Sequence, residues 1–480
     1  MFPAALAAVV LSVCVADAVP TPTVAGPITS PGSAFVAGTL FDLAPLGYVE
    51  EEFFVSGTAT AFTSAAPLGS DGRWTAAPGD TAAYTTRVLV HRPASPRKFN
   101  GTVIVEWLNV SGGLDAAPDW IFAHSFLMRE GYAWVGVSAQ LVGISGGGGP
   151  LGIDLSLKGV NPARYAPLQH PGDSFSYDIF SQAAQALRSM PALLGGARAK
   201  RIIAAGESQS AFRMVTYVNA VHPLAGVYDG FLVHSRGGGA APLSQPPQPS
   251  VDAPTPAFIR EDVDVPVLTF QTETDLIALG SLAIRQPDTN KIRLWEVAGT
   301  AHGDVYQAAI GMTDAGRVAI DVTHEPLQSS VGQGFISCGA PVNAGQQHYV
   351  LSAAVSRLTR WVRSGRPPKR KAPRLEVDAG PPLAYRLDAN GNVLGGIRTP
   401  AVDAPVATLS GLGQTGSSFC FLFGTTVPLD DATLAALYPT RTAYVSAVAR
   451  SARAAVRAGF LLRPDARAIR RAASDSGVGG

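Results

Sequence analysis

The chain has 480 residues, of which 46% are hydrophobic and 15% charged, so a mainly disordered chain is excluded and a large core can be built. Lys and Arg total 37 against 36 Asp and Glu, and the resulting net charge of +1 lacks the basic excess of a nucleic-acid binder. With 51 Gly and 37 Pro, loops and turns must be many.

Ala4 to Ala16 is an apolar run, too short for a ~20-residue membrane span. It ends in Ala16-Asp17-Ala18, ahead of Val19-Pro20. That predicts a secretory signal peptide over residues 1–18, although no Lys or Arg precedes the run. Leu11-Ser12-Val13-Cys14 resembles a lipoprotein box, but Val13 fits it poorly, so anchoring at Cys14 is not expected. No later segment reaches 18 apolar residues, which argues against an integral membrane segment. Cleavage leaves Cys338 and Cys420, and two cysteines in an exported, secreted or periplasmic protein predict a disulfide.

Residues 19–45 read as an extended lead-in. Tyr48 to Thr60 and Ala83 to His91 are rich in β-branched and aromatic residues and predict strands. Gly101 to Leu108 predicts a buried strand, Phe122 to Gly131 a helix, and Ala133 to Ser138 a second buried strand. Residues 143–172 read as loop. Ser174 to Met190 predicts a helix with Phe180, Ala184, Leu187 and Met190 at helical spacing. Arg201 to Ala205 predicts a short strand, Ser210 to Ala220 a helix and Gly230 to His234 a strand. A Gly/Pro-rich insertion at 237–256 has the place of a lid. Val265 to Gln271 and Ile292 to Val297 predict two more strands, and His348 to Ser364 an amphipathic helix.

Alternation of strand and helix over roughly 100–365 predicts an α/β fold: a mostly parallel sheet with helices on both faces. Residues 19–375 are expected to form this unit, with its N-terminal strands and the 237–256 insertion. After a Pro- and Lys/Arg-rich linker, residues 376–480 are expected to form a C-terminal extension packed on it. That extension carries helices over Asp430 to Tyr438 and Ala443 to Arg457. Arg450, Arg453 and Arg457 read as a solvated helix face.

The most informative stretch is Ile202 to Phe212, where a short apolar strand runs through Gly206-Glu207-Ser208-Gln209-Ser210 into a helix. A Ser hydroxyl is a weak nucleophile and must sit exposed on a sharp strand-to-helix turn beside a base. Small residues at 206 and 210 let strand and helix approach. The helix start aims the Gln209 N–H at a developing oxyanion. Gly143-Ile144-Ser145-Gly146-Gly147 matches the stricter Gly-x-Ser-x-Gly pattern. The glycines and proline that follow leave no helix to complete an elbow there.

The base should follow late in the chain. His302 lies on a small-residue loop past strand 292–297, where a parallel sheet presents its chemistry; His324 and His348 are its rivals. The acid should follow strand 265–271. Asp275 has the favoured spacing, and Glu273 is the alternative acid. The order Ser208, Asp275, His302 is neither the chymotrypsin nor the subtilisin order. A second oxyanion donor is expected from the loop Trp107 to Gly113, at the Val110 N–H. Trp107 and Leu141 are candidate pocket liners, with core packing the simpler role for either. Asn100 and Asn109 each open an Asn-x-Ser/Thr pattern, the latter at the expected site.

These pieces together resemble the α/β-hydrolase superfamily, and within it a group of exported bacterial α/β-hydrolase domain proteins with a Gly-Glu-Ser-Gln-Ser elbow. The resemblance also rests on Lys98 to Gly101, Val105 to Ser111, His170-Pro171-Gly172-Asp173, Thr272 to Asp275, His302 and Gly395 to Pro400. It spans nearly all of the chain after residue 18. It implies the α/β-hydrolase fold and a Ser hydrolase mechanism, and it implies no particular substrate. Ser210 departs from the superfamily pattern, which has a second Gly there.

The expected activity is cleavage of a small-molecule carboxylic ester, with lactone or amide open. It proceeds through an acyl-enzyme, without cofactor or metal. His302 and Asp304 lack a third clustered ligand for a metal. A non-catalytic binding protein on a hydrolase scaffold and a secreted peptidase with the same triad are the alternatives.

Overall fold

The computed structural model describes residues 19–480 apart from 148, 150, 151, 332, 333 and 335. The expected signal peptide and Cys14 lie outside the described residues. Nine strands form one sheet: β1 (Thr23–Ala25), β2 (Tyr48–Thr63), β3 (Ala77–Pro93), β4 (Thr102–Trp107), β5 (Ala133–Val137), β6 (Arg201–Glu207), β7 (Gly230–His234), β8 (Val267–Gln271) and β9 (Ile292–Glu296). Their spatial order is β1-β2-β3-β5-β4-β6-β7-β8-β9. The first four in that order pair antiparallel and β5 through β9 pair parallel.

β2 and β3 form a long hairpin that extends past its expected ends, to Thr63 and from Ala77. Residues 77–81 are exposed, so backbone pairing holds them without the apolar pattern that would mark a strand in sequence.

The helices bearing on the site are α1 (Pro118–Arg129), α2 (Ser176–Ser189), α3 (Gln209–Thr216), α4 (Glu273–Ile277) and α5 (Gln347–Ser364). Two more, α6 (Arg441–Ala458) and α7 (Arg463–Asp475), follow near the C-terminus. α1 begins four residues before the expected Phe122. Pro118 presets its first turn, and the Glu106 carboxylate of β4 accepts the N–H groups of Asp119 (2.9 Å) and Trp120 (3.0 Å). A cap supplied by a distant strand leaves no local signal. The stretch 143–172, read from sequence as loop, holds or overlaps three one-turn helices, at Leu141–Ser145, Leu157–Val160 and Pro162–Tyr165. Ser145 ends the first of these and follows no strand, so the stricter Gly-x-Ser-x-Gly match is not a strand-to-helix turn.

Each parallel strand is buried on both faces. Ile104, Ile203, Leu232, Leu268 and Trp295 pack with Phe122 and Phe126 of α1 and Leu351, Leu358 and Trp361 of α5. Val103, Val105, Ala204, Phe231 and Val267 pack on the other face with Tyr177 and Phe180 of α2 and Met214 of α3. Each large apolar side chain so buried contributes roughly 1.5–3 kcal/mol. Trp107 is fully buried against Tyr177 and Phe180, a core role, and Leu141 is partly exposed. Residues of the 237–256 insertion hydrogen-bond to α2 and α3, through Tyr177 Oη to Pro242 O (2.7 Å) and Ala241 N to Phe212 O (3.1 Å).

The residues after 375 fold back onto the last strands. Ile397 lies parallel to Val297, and its N–H donates to Glu296 O at 2.7 Å. Phe460 packs edge-on against Trp295. Cys338 and Cys420 form a disulfide. Arg450, Arg453 and Arg457 are exposed. Among the described residues no helix is long and apolar enough to cross a membrane.

Candidate active site

β6 ends at Glu207 and α3 begins at Gln209, so Ser208 alone makes the turn, at φ 57° and ψ −119°. A non-glycine residue at such φ costs on the order of 1–3 kcal/mol and persists only when its surroundings enforce it. Here the Ser208 N–H donates to His234 O at 3.0 Å, and the Ser208 carbonyl accepts from Ala211 and Phe212. A Cβ at Gly206 would sit 2.9 Å from both Met214 Cγ and Ser210 O, so only glycine lets strand and helix approach this closely. Ser210 is fully buried, and its hydroxyl has no partner among the described residues.

The turn presents Ser208 Oγ at 2.8 Å from His302 Nε2. On the other side of the ring, His302 Nδ1 lies 2.7 Å from Asp275 Oδ1. Asp275 lies in the first turn of α4, and its other oxygen accepts the Thr272 N–H at 2.7 Å, which fixes the carboxylate. The His302 N–H in turn donates to Thr274 Oγ1 at 3.1 Å. The structure thus brings Ser208, His302 and Asp275 into one hydrogen-bonded line. The rival histidines lie elsewhere: His324 bonds to Tyr444 Oη, and His348 is buried and stacked on Tyr306.

Glu273 points away from His302. Its carboxylate accepts Gly299 N–H at 2.6 Å and Gly411 N–H at 2.8 Å. Burial pushes it up to about 7, held back by those two N–H groups. Gly411 belongs to the C-terminal part of the chain, and its carbonyl accepts from Thr274 Oγ1 at 2.6 Å. Tyr385 Oη donates to Glu273 O. Residues after 375 therefore brace the loop that carries Asp275.

The loop after β4 is held against the elbow by Asn109, whose side-chain N–H donates to Glu207 O at 3.1 Å. Asn109 is buried, so its Asn-x-Ser pattern is not a surface acceptor. Val110 follows, and its N–H makes no hydrogen bond among the described residues. Gln209 heads α3, where a helix leaves its first amides without intrahelical acceptors. Its side chain donates to Gln140 Oε1 at 2.9 Å. Gln140 donates to Asp173, which also accepts from Arg213 and from the Leu141 N–H. That network explains the His170-Pro171-Gly172-Asp173 stretch: Asp173 anchors the residue next to the nucleophile candidate.

Sequence reasoning missed Glu207 as a member of the site. Its Oε1 lies 3.2 Å from His302 Nε2. Burial pushes Glu207 up to about 7, opposed by His302 and His234. Burial lowers His302, but Glu207 and Asp275 outweigh it, so the imidazole stands above its ordinary value. A charged residue within an apolar strand, directly before the nucleophile candidate, was the available signal. Among the described residues no group of three or more His, Cys, Asp or Glu could hold a metal ion.

The model of one protein family, described as alpha/beta hydrolase domain, matches residues 19–471. The chain belongs to that family. A search of curated proteins found no match. Among solved structures, the alpha/beta hydrolase chain is similar to a fungal esterase from Rhizomucor miehei at 12% identity and TM-score 0.31, over 65% of this chain and 85% of that one. It is similar to an α/β serine hydrolase without lid from Xanthomonas campestris at 15% identity and TM-score 0.27, over 52% and 85%. It is also similar to a thermostable esterase from Pseudomonas putida at 13% identity and TM-score 0.27, over 54% and 75%.

Proposed function

We propose that this alpha/beta hydrolase family member is an exported serine hydrolase that cleaves a carboxylic ester or lactone through an acyl-enzyme. The reading is carried by the hydrogen-bonded line from Ser208 Oγ through His302 to Asp275. Ser208 Oγ attacks the carbonyl carbon while His302 Nε2 takes its proton. Asp275 holds the ring tautomer and stabilises the imidazolium. The Val110 and Gln209 N–H groups hold the oxyanion. The tetrahedral adduct collapses, His302 gives the proton to the departing alkoxide, and water activated by His302 then releases the acid. Oxyanion donors of this kind are worth about 10²–10³ in kcat each. Export accords with the Cys338–Cys420 disulfide, since such bonds persist in oxidising compartments.

A fluorophosphonate probe tests this without a guess at the substrate. The label should fall on Ser208, by peptide mass spectrometry, and should be lost in His302→Ala. A panel of short-chain esters and lactones should then show turnover that Ser208→Ala abolishes. Folded protein that takes no label and turns over no ester would sink the proposal.

A further inference from the structure

Arg236 follows β7 and is fully buried. Its Nε and Nη2 donate to the backbone carbonyls of Gly237, Gly239 and Ala257, at the two ends of the 237–256 insertion. Among the described residues no carboxylate pairs with it and no acceptor is bonded to its Nη1. A buried cation with only neutral partners is costly, because carbonyl dipoles replace hydration without cancelling the charge. Burial lowers the guanidinium to about 9, which still leaves it charged at neutral pH.

Arg236 lines a cavity of ≈ 10 Å³, counted as space open to the centre of a water-sized sphere. That admits a small occupant such as a water or a monatomic ion. Thr269, Leu276, Ser281 and Glu296 are among the other wall residues. The Ser281 hydroxyl is buried and has no partner among the described residues. Glu296, the other charged residue of the wall, is already neutralised: its two oxygens accept from Arg285 Nε and Nη2, each at 2.7 Å. The surplus charge at the cavity is therefore the single positive charge of Arg236.

We propose that this cavity is a binding site for one monatomic anion, a chloride or bromide, held by the Arg236 guanidinium with the Ser281 hydroxyl as a second donor. The occupant must be small because of the volume, and negative because the wall carries an uncancelled cation beside an unused O–H donor. Arg236 ties the neck of the 237–256 insertion, and Leu276 neighbours Asp275 on α4. The anion thus joins the insertion to the base of the acid-bearing helix. None of this depends on Ser208 being a nucleophile.

The test is thermal unfolding of the full protein at constant ionic strength, with sodium isethionate replaced stepwise by chloride or bromide. A ligand that binds only the folded state raises Tm as its concentration passes Kd. Tm should rise with either halide, in proportion to the logarithm of its concentration above Kd. Loss of a hydrogen bond to a charged group should move the concentration at which Tm begins to rise about tenfold upward in Ser281→Ala. Arg236→Met should abolish the response. If that variant does not fold, Ser281→Ala and a bromide-soaked crystal decide, the latter with an anomalous peak expected beside Arg236 Nη1. A Tm indifferent to halide in the native chain, the same response in Ser281→Ala, or a cavity holding only water in bromide would each overturn the proposal.

Discussion

Glu207 sets its Oε1 3.2 Å from His302 Nε2, the nitrogen that also faces Ser208 Oγ at 2.8 Å. Two carboxylates therefore flank one imidazole, with Asp275 on Nδ1 and Glu207 beside Nε2. In the proposed mechanism only the neutral ring can accept the Ser208 proton, and the nearby carboxylates favour the charged ring. Ester turnover should rise with pH along the apparent titration of the His302–Glu207 pair. In Glu207→Gln the negative charge is gone, so the imidazolium is less favoured and the acid limb of kcat/KM against pH should move to lower pH. The plateau kcat should fall by roughly tenfold, because the imidazolium formed in the transition state loses a partner. An unmoved acid limb would show that Glu207 acts only as packing.

Gly411 approaches the acid loop so closely that a Cβ there would lie 2.5 Å from Glu273 Cβ and 2.6 Å from Thr274 N. Gly411→Ala must push the C-terminal segment off α4 and strain the bonds to Glu273 and Thr274. Such overpacking costs about 1–3 kcal/mol. The same displacement shifts Asp275, so kcat at 25 °C should fall by about 10²-fold although the protein remains folded. Gly380→Ala, where a Cβ meets nothing within 4 Å, is the control and should leave both Tm and kcat unchanged. Equal behaviour of the two variants in melting and ester assays would refute the bracing role.

Glu273 has its carboxyl raised from 4.5 to about 7 by burial. A carboxyl that binds its proton more tightly folded than unfolded stabilises at low pH. That contribution is complete below about 4.5 and is lost as pH climbs through about 7. Glu273→Gln cannot ionise. Its unfolding free energy, from urea titrations across about pH 4–8, should fall less steeply with pH than that of the native chain. The accumulated difference should be on the order of 3 kcal/mol. Gln offers one oxygen where Glu offers two to the N–H groups of Gly299 and Gly411, so the variant should start less stable at acid pH. Parallel curves would mean that Glu273 titrates at an ordinary value.

The strand-to-helix turn at Ser208 was legible in the sequence because everything that makes it is local: an apolar strand, a glycine two before the serine, and a helix start directly after. The parallel sheet was legible for the same reason, since buried strands announce themselves by composition. Spacing favoured Asp275 over Glu273 but left Glu273 open, because both sit in the first turn of α4. Which one faces His302 depends on where α4 docks, and Gly411, more than 130 residues away in sequence, sets that by occupying the Glu273 side. Glu207 was hidden similarly. Its reach to His302 needs the imidazole to be brought from 95 residues downstream. The early start of α1 escaped notice because its cap, Glu106, is on another strand.

The disulfide ties the His302 side of the molecule to the C-terminal part of the chain. Cys338 and Cys420 are separated by 82 residues, and a closed loop of that length restricts the unfolded ensemble by about 4.5 kcal/mol in the chain-entropy account. Beside Cys420, Leu422 O accepts the Gly303 N–H at 3.0 Å and Phe423 O accepts the Asn343 N–H at 2.9 Å. A Cβ at Gly303 would lie 2.8 Å from the Phe423 ring, so this segment covers the residue next to His302. Breaking the bond should therefore do two separable things. Cys338→Ser/Cys420→Ser should melt well below the native chain, and the native chain with reductant should melt with it. At temperatures where the reduced protein is still folded, ester turnover should fall only a few-fold, because backbone hydrogen bonds continue to hold Gly303 in place. A reduced protein with unchanged Tm would show that the bond adds no stability. A large loss of turnover in a protein that stays folded would mean that the bond, rather than the hydrogen bonds at Leu422 and Phe423, positions His302.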